Sequence, residues 1–220
     1  MNKFDLGGVS GHQFYEQVFE QQLDRAWNEA PGKEIILNAL GRHRIHFPPS
    51  GTLIDIGCGT GFLLRRIQKE VLPDYRFVGV DFSLTAIAEG KKLFPEISLF
   101  AENGAATSLP GASFDIVVSY GSYEHFPDPA LAIAEMRRLL KPAGHFFTMM
   151  PALEGYWENT RADEGWYPDK TGQPQWNFSR VHWESFFRNN GLSLWDSALI
   201  SRYGARNPDV FFFGTPLNDL

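Results

Sequence analysis

Residues 52–62 read Thr-Leu-Ile-Asp-Ile-Gly-Cys-Gly-Thr-Gly-Phe, and no other stretch constrains the fold as tightly. Apolar and β-branched residues flank Asp55, as a buried parallel strand requires. Gly57, Gly59 and Gly61 then recur at every second position, which suits a backbone that turns sharply and lets a ligand approach closely. An amphipathic run follows at once through Phe62, Leu63, Leu64, Ile67 and Val71, so the glycines lie at a strand-to-helix turn. Open α/β sheets bind nucleotides at such turns.

The spacing excludes two common phosphate loops. A dinucleotide-binding turn needs a third glycine where this chain has Phe62. A Walker loop needs Gly-Lys-Ser/Thr, which does not occur. A second strand-like run, Arg76-Phe77-Val78-Gly79-Val80, ends in Asp81, twenty residues after Gly61. At that distance an α/β fold sets a carboxylate on a ribose, where it can accept from both vicinal hydroxyls. Ser83 has the character of a helix N-cap.

Asp-Ile-Gly-Cys-Gly-Thr-Gly resembles the first motif of the class I S-adenosylmethionine-dependent methyltransferases. Ser113-Phe114-Asp115-Ile116-Val117-Val118-Ser119 resembles that family's fourth strand. Leu139-Leu140-Lys141-Pro142-Ala143-Gly144-His145 is similar to its turn into the fifth. The resemblance covers about residues 50–150. It implies S-adenosyl-L-methionine as cofactor, S-adenosyl-L-homocysteine as product, and a cofactor site drawn from Asp55, Gly57, Cys58, Gly59, Gly61, Asp81, Phe82, Gly104, Ala105, Ser119 and Tyr120, with Tyr15 contributed by the first helix. Cys58 is a small residue beside the cofactor in this reading, or else a nucleophile. One position departs from the family: Ala105 stands where an acid usually receives the adenine amino group, leaving Glu102, Asn103 or backbone groups for that task.

The implied fold is an α/β Rossmann-like, doubly wound, seven-stranded, mostly parallel sheet with an antiparallel last strand and helices on both faces. The pattern along the chain agrees: strands at 52–56, 76–80, 97–101, 114–119 and 144–150 alternate with helices at 60–71, 83–93 and 128–140. Helical spacing also runs from His12 to Ala30 and from Lys33 to Arg42. A helix from Ser179 through Phe187 and strands at 192–198 and 210–214 close the chain. The whole reads as a single domain, 1–220, with an N-terminal helical cap at about 10–45 and an aromatic-rich insertion at about 152–178 that shows no period. That insertion, bearing Tyr156, Trp157, Trp166, Tyr167, Trp176 and Phe178, either covers an acceptor pocket or packs itself onto the sheet.

Residues just after the fourth strand, Tyr120 to His125, are expected to face the transferred methyl. His125 is the candidate base and Glu124 its companion, since an imidazole titrates near working pH. His125 could instead cap the helix beginning at Asp128. His182, beside Trp183, is a second candidate base. An Asp/Asn-Pro-Pro-Tyr/Phe motif, which nucleotide amino-methylating enzymes carry here, is replaced by Ser119-Tyr120-Gly121-Ser122.

The net charge of −6, with basic residues clustering no further than pairs such as Arg42/Arg44, Arg65/Arg66 and Arg137/Arg138, disfavours nucleic acid as substrate. A small-molecule acceptor methylated at oxygen or nitrogen is therefore expected. No metal site is expected. Lacking both a run of ~20 apolar residues and a hydrophobic leader, and having one cysteine, the chain is expected to be cytoplasmic without membrane insertion. The alternative function is a non-catalytic cofactor-binding module of the same fold acting through a protein partner. An NAD-dependent oxidoreductase would share only the sheet architecture.

Overall fold

The computed structural model describes residues 16, 32–153, 164–168, 174–201 and 208–217. Seven strands form one sheet: β1 (Gly51–Ile56), β2 (Tyr75–Asp81), β3 (Ser98–Ala101), β4 (Phe114–Tyr120), β5 (Leu140–Pro151), β8 (Leu192–Ser201) and β9 (Pro208–Pro216). Their spatial order is β3-β2-β1-β4-β5-β9-β8. The first five are parallel, while β9 runs antiparallel between β5 and β8. The order reverses between β1 and β4, the switch point at whose C-terminal strand ends open α/β sheets bind ligands; Ile56, Asp81 and Tyr120 end β1, β2 and β4 on that side.

Helices α1 (Gly32–Arg42), α2 (Phe62–Glu70), α3 (Leu84–Leu93), α4 (Pro129–Leu139) and α5 (Arg180–Asn189) cover the faces. Two apolar clusters result. One joins α1 and α2 to β1, β2 and β5 through residues such as Ile36, Leu40, Leu64, Leu53 and Phe147. The other joins α4 and α5 to the opposite face through Ile54, Ile133, Met136, Trp183 and Phe187. Side chains of a central parallel strand alternate between these clusters, which is why β1 is apolar on both faces.

Helix starts follow their local signals. Ser83 Oγ accepts from Ala86 N–H at 3.0 Å, as its sequence position suggests. Asp128 Oδ1 accepts from Ala130 and Leu131 N–H at 3.0 and 3.3 Å, and Pro129 occupies the first turn. The cap of α4 is thus Asp128, which removes the capping alternative for His125.

Three expectations are adjusted. The fifth strand, expected at 144–150, begins at Leu140, with a register shift against β4 between Phe114 and Ile116. The last two strands extend beyond 192–198 and 210–214. Within the aperiodic 152–178 stretch, β6 (Gly165–Pro168) and β7 (Pro174–Asn177) pair as an antiparallel hairpin. The expected helix at 12–30 lies outside the described residues except for Glu16, which is helical. Among the described residues, no helix is long and apolar enough to cross a membrane.

Candidate functional site

The glycine turn is built by backbone conformation. Gly57, Gly59 and Gly61 have φ of 80°, 54° and 82°, the left-handed region that side chains disfavour. Gly57 has a second constraint: a Cβ there would run into the Ser122 side chain, lying 2.6 Å from its Cβ. The turn after β1 and the turn after β4 therefore touch. Gly57 and Cys58 N–H both donate to Val80 O, at 2.8 and 3.1 Å, and Gly61 N–H donates to Cys58 O at 2.9 Å.

Asp81 closes the turn from the neighbouring strand. Its Oδ2 accepts from Gly59 N–H at 2.8 Å and its Oδ1 from Ser83 N–H at 2.9 Å. Burial pushes its carboxyl up; the N–H groups of Ser83, Gly59 and Phe82 pull it back, and the nearby Glu16 carboxylate adds to the rise. Three N–H donors on a carboxylate with about four lone-pair sites leave acceptor capacity for a further hydroxyl. Phe82, the next residue, is exposed at the rim.

Asp55 lies on the other side of the turn, 2% exposed. Among the described residues, its Oδ1 has no hydrogen-bond partner. Burial pushes this carboxyl up to about 7, with Lys33 pulling it down and Asp81 pushing it up. A buried oxygen in that state is an acceptor suited to a charged donor. Lys33, from the first turn of α1, is itself buried, its Nζ 5.4 Å above the Phe62 ring. Sequence reasoning missed Lys33, because nothing local marks a helix-start lysine as facing inward.

The Cys58 side chain is buried. A Cβ on Gly79 would lie 2.7 Å from the Cys58 Sγ, so the thiol packs against β2 within the first core cluster. Burial and the Asp81 and Asp55 carboxylates push the thiol well up, the setting of a packing cysteine and not of an activated thiolate. Ser119 is likewise committed: fully buried, it donates its hydroxyl to Ile56 O at 2.9 Å and braces β4 against the end of β1. Tyr120 is half-buried against the first cluster.

The loop after β3 is anchored from behind. Gly104 is buried so closely that a Cβ would meet Ile56 Cγ2 at 2.7 Å and Phe126 Cζ at 3.0 Å. Glu102 is occupied by Ser108, whose N–H and Oγ donate to it at 2.7 and 2.6 Å. Asn103 Oδ1 accepts from Ala105 N–H at 3.0 Å. Glu135 of α4 accepts from Thr107 N–H and Oγ1 at 2.9 and 2.6 Å, and Arg138 ties Glu135 to Leu109 O. Ala105 adds no polar side chain and packs against the second core cluster.

After β4, Gly121 turns with φ of 63° and a 3-10 turn carries Tyr123–His125. Glu124 is buried, and its Oε1 lies 3.9 Å from His125 Nε2. The β6–β7 hairpin docks here: Trp176 Nε1–H donates to Phe126 O at 3.0 Å. Trp166 meets Trp176 edge-on at 5.1 Å, and Trp176 stacks on Phe178 at 5.0 Å. His182 is brought to the hairpin's base, not to the Glu124–His125 turn. Its Nδ1 lies 2.6 Å from Glu164, and its ring packs on Phe178 at 4.1 Å. Tyr15, Tyr156 and Trp157 lie outside the described residues. Among the described residues, no group of three or more His, Cys, Asp or Glu is placed to hold a metal.

The chain is similar to known proteins. A family model described as a methyltransferase domain matches residues 19–197. The 2-methyl-6-phytyl-1,4-hydroquinone methyltransferase of Synechocystis sp. is 36% identical over 102 residues, covering 44% of this chain and 31% of that protein. The nocamycin O-methyltransferase of Saccharothrix syringae is 33% identical over 101 residues, covering 44% and 36%. The chain spans about a third of the length of the first curated relatives it matches. The solved 1,6-didemethyltoxoflavin-N1-methyltransferase of Burkholderia thailandensis, bound to 1,6-didemethyltoxoflavin and S-adenosylhomocysteine, superposes with a TM-score of 0.74 at 16% identity, covering 94% of this chain and 87% of that one. At that identity the likeness shows the fold.

Proposed function

The chain belongs to the methyltransferase-domain family, the class I S-adenosylmethionine-dependent methyltransferases, and from that premise we propose that it moves a methyl group from S-adenosylmethionine to an oxygen or nitrogen of a small, ring-bearing acceptor. The observation that carries this reading is the pair of buried carboxylates flanking the glycine turn, Asp81 bonded to Gly59 and Asp55 with an oxygen still to be satisfied. They suit two parts of the cofactor. Asp55 takes the amino-acid ammonium, with Gly57, Gly59 and Gly61 clearing room for the chain. Asp81 takes the ribose hydroxyls, and Phe82, Gly104 and Ala105 border the adenine.

S-adenosylmethionine supplies a methyl already activated on a sulfonium, so the protein's task is to hold an acceptor in line with it. Orientation of this kind accounts for roughly 7–11 kcal/mol of a barrier. His125, with Glu124 buried beside it, takes the acceptor's proton. Trp176 holds the aromatic hairpin against the same turn, giving a flat, apolar wall. The ring-bearing acceptors named for the relatives, a hydroquinone and a didemethyltoxoflavin, support that class. Ala105 is the one observation favouring a cofactor-binding module without turnover.

Calorimetric titration with S-adenosylhomocysteine, followed by methyl incorporation into a panel of phenols and nitrogen heteroaromatics, tests the proposal. Saturable one-to-one binding and transfer to at least one ring class are expected. Absence of heat at millimolar ligand with folded protein overturns it; binding without transfer to any acceptor favours the module.

A further inference from the structure

Glu16 stands apart from the elements that build the glycine turn, yet its carboxylate reaches the first turn of α3. Its Oε1 accepts from Leu84 N–H at 2.8 Å and its Oε2 from Thr85 N–H at 3.1 Å, across 68 and 69 residues of chain. The hydroxyls of Thr85 and Ser83 also donate to it. Burial alone would raise this carboxyl, but those hydrogen bonds hold it below the usual carboxylate range. A carboxylate on helix N–H groups is favourable by itself, and α3 already has its own cap in Ser83. Ser83 satisfies Ala86 N–H while Glu16 satisfies Leu84 and Thr85 N–H, so the two caps serve different donors of the first turn.

What Glu16 adds is continuity. Ser83 is buried and stands between two carboxylates: its N–H donates to Asp81 Oδ1 at 2.9 Å, and its hydroxyl is shared with Glu16. Asp81 Oδ2 in turn accepts from Gly59 N–H. The chain of hydrogen bonds runs Glu16, Ser83, Asp81, Gly59. Chains of this kind fix the orientation of each member more firmly than isolated bonds do.

We infer that Glu16 is a positioning residue for the cofactor site: by holding the first turn of α3 and Ser83, it fixes the Asp81 carboxylate in the orientation that takes the sugar hydroxyls. The inference rests on the proposed role of Asp81. It assigns to the N-terminal part of the chain a specific chemical task at the sugar.

The test compares two ligands, S-adenosylhomocysteine and its 2′-deoxy analogue, on wild type, Glu16→Ala and Glu16→Gln by calorimetry, with melting temperatures measured in parallel. The wild type should prefer the hydroxylated ligand by about tenfold, one good hydrogen bond to a charged group. In Glu16→Ala that preference should shrink to about twofold, because only the sugar contact is loosened. Glu16→Gln keeps one acceptor oxygen and the side-chain length, and should fall between. If both ligands weaken by the same factor in the variants, Glu16 is a structural cap and the inference is overturned, while the reading of the site stands. If the wild type binds neither ligand, the reading of Asp81 fails and the inference falls with it. Should Glu16→Ala not fold, the Glu16→Gln comparison decides alone.

Discussion

The backbone N–H of Gly59 donates to Asp81 Oδ2 at 2.8 Å, so the glycine turn and the acid at the tip of the next strand are one unit. Asp81 shapes the turn and, in the proposed role, presents acceptor lone pairs to a sugar. Replacing it with Ala frees the N–H groups of Gly59 and Ser83 along with the ribose hydroxyls. Asp81→Ala should raise the S-adenosylhomocysteine Kd more than tenfold, from about 1–3 kcal/mol per unsatisfied group, and also lower the melting temperature. Asp81→Asn retains one acceptor oxygen and should weaken binding with less loss of stability. Calorimetry and thermal melts on both variants check this; unchanged binding in Asp81→Ala refutes the ribose assignment.

Asp55 sets a pH dependence in two directions. Its carboxyl is pushed from 3.8 up to about 7 by burial. Between those values the folded protein holds a proton that the unfolded chain releases, so Asp55's contribution to stability is present at low pH and is lost as pH rises through about 7. Thermal melts from pH 5 to 8 should show that slope, flattened by Asp55→Asn. Ligand affinity runs the other way, since an ammonium needs the carboxylate. The Kd for S-adenosylhomocysteine should fall roughly tenfold from pH 6 to pH 8 and lose this dependence in Asp55→Asn. Lys33→Met removes the cation that pulls the carboxyl down, and should move the binding midpoint to higher pH.

The parallel strands and the glycine turn were legible because their signals are local: apolar runs, glycine spacing, and Ser83 or Asp-Pro at helix starts. Asp128 caps α4, where His125 had been an alternative. The hairpin was not legible. Its strands are four residues each and prolines stand at Pro168 and Pro174, so no alternation develops. Lys33 and Glu16 were not legible for another reason. Each lies on an amphipathic helical run, and its significance depends on groups brought near by folding, Asp55 for one and the first turn of α3 for the other. The double duty of Ser119 and Cys58, one bracing Ile56 and the other filling space against Gly79, was likewise set by packing across strands.

Gly57 is held by two independent constraints, which predicts a particular double-variant result. Gly57→Ala places a methyl in the Ser122 side chain and forces a side chain to adopt φ of 80°. The backbone part costs about 1–2 kcal/mol, and the collision adds a cost of similar size. Gly57→Ala should lower the melting temperature and abolish measurable ligand binding. Adding Ser122→Gly should recover the steric part of the stability alone. Full recovery would show that backbone strain at this turn is negligible; no recovery would show that the two turns are not in contact.

His125 is the group through which the proposed chemistry is most directly tested. It is half-buried at the end of β4, with the buried Glu124 carboxylate 3.9 Å from its Nε2 and the Trp176-anchored hairpin beside it. If it removes the acceptor's proton, His125→Ala should lower kcat by about a hundredfold or more on a phenolic acceptor while leaving the S-adenosylhomocysteine Kd within about twofold. Glu124→Gln should cause a smaller loss, since Glu124 acts only through the imidazole 3.9 Å from its Oε1. On an acceptor already ionised at the assay pH, such as a nitrophenol, the His125→Ala penalty should largely vanish. An equal penalty on ionised and un-ionised acceptors would assign His125 to acceptor positioning instead of proton transfer.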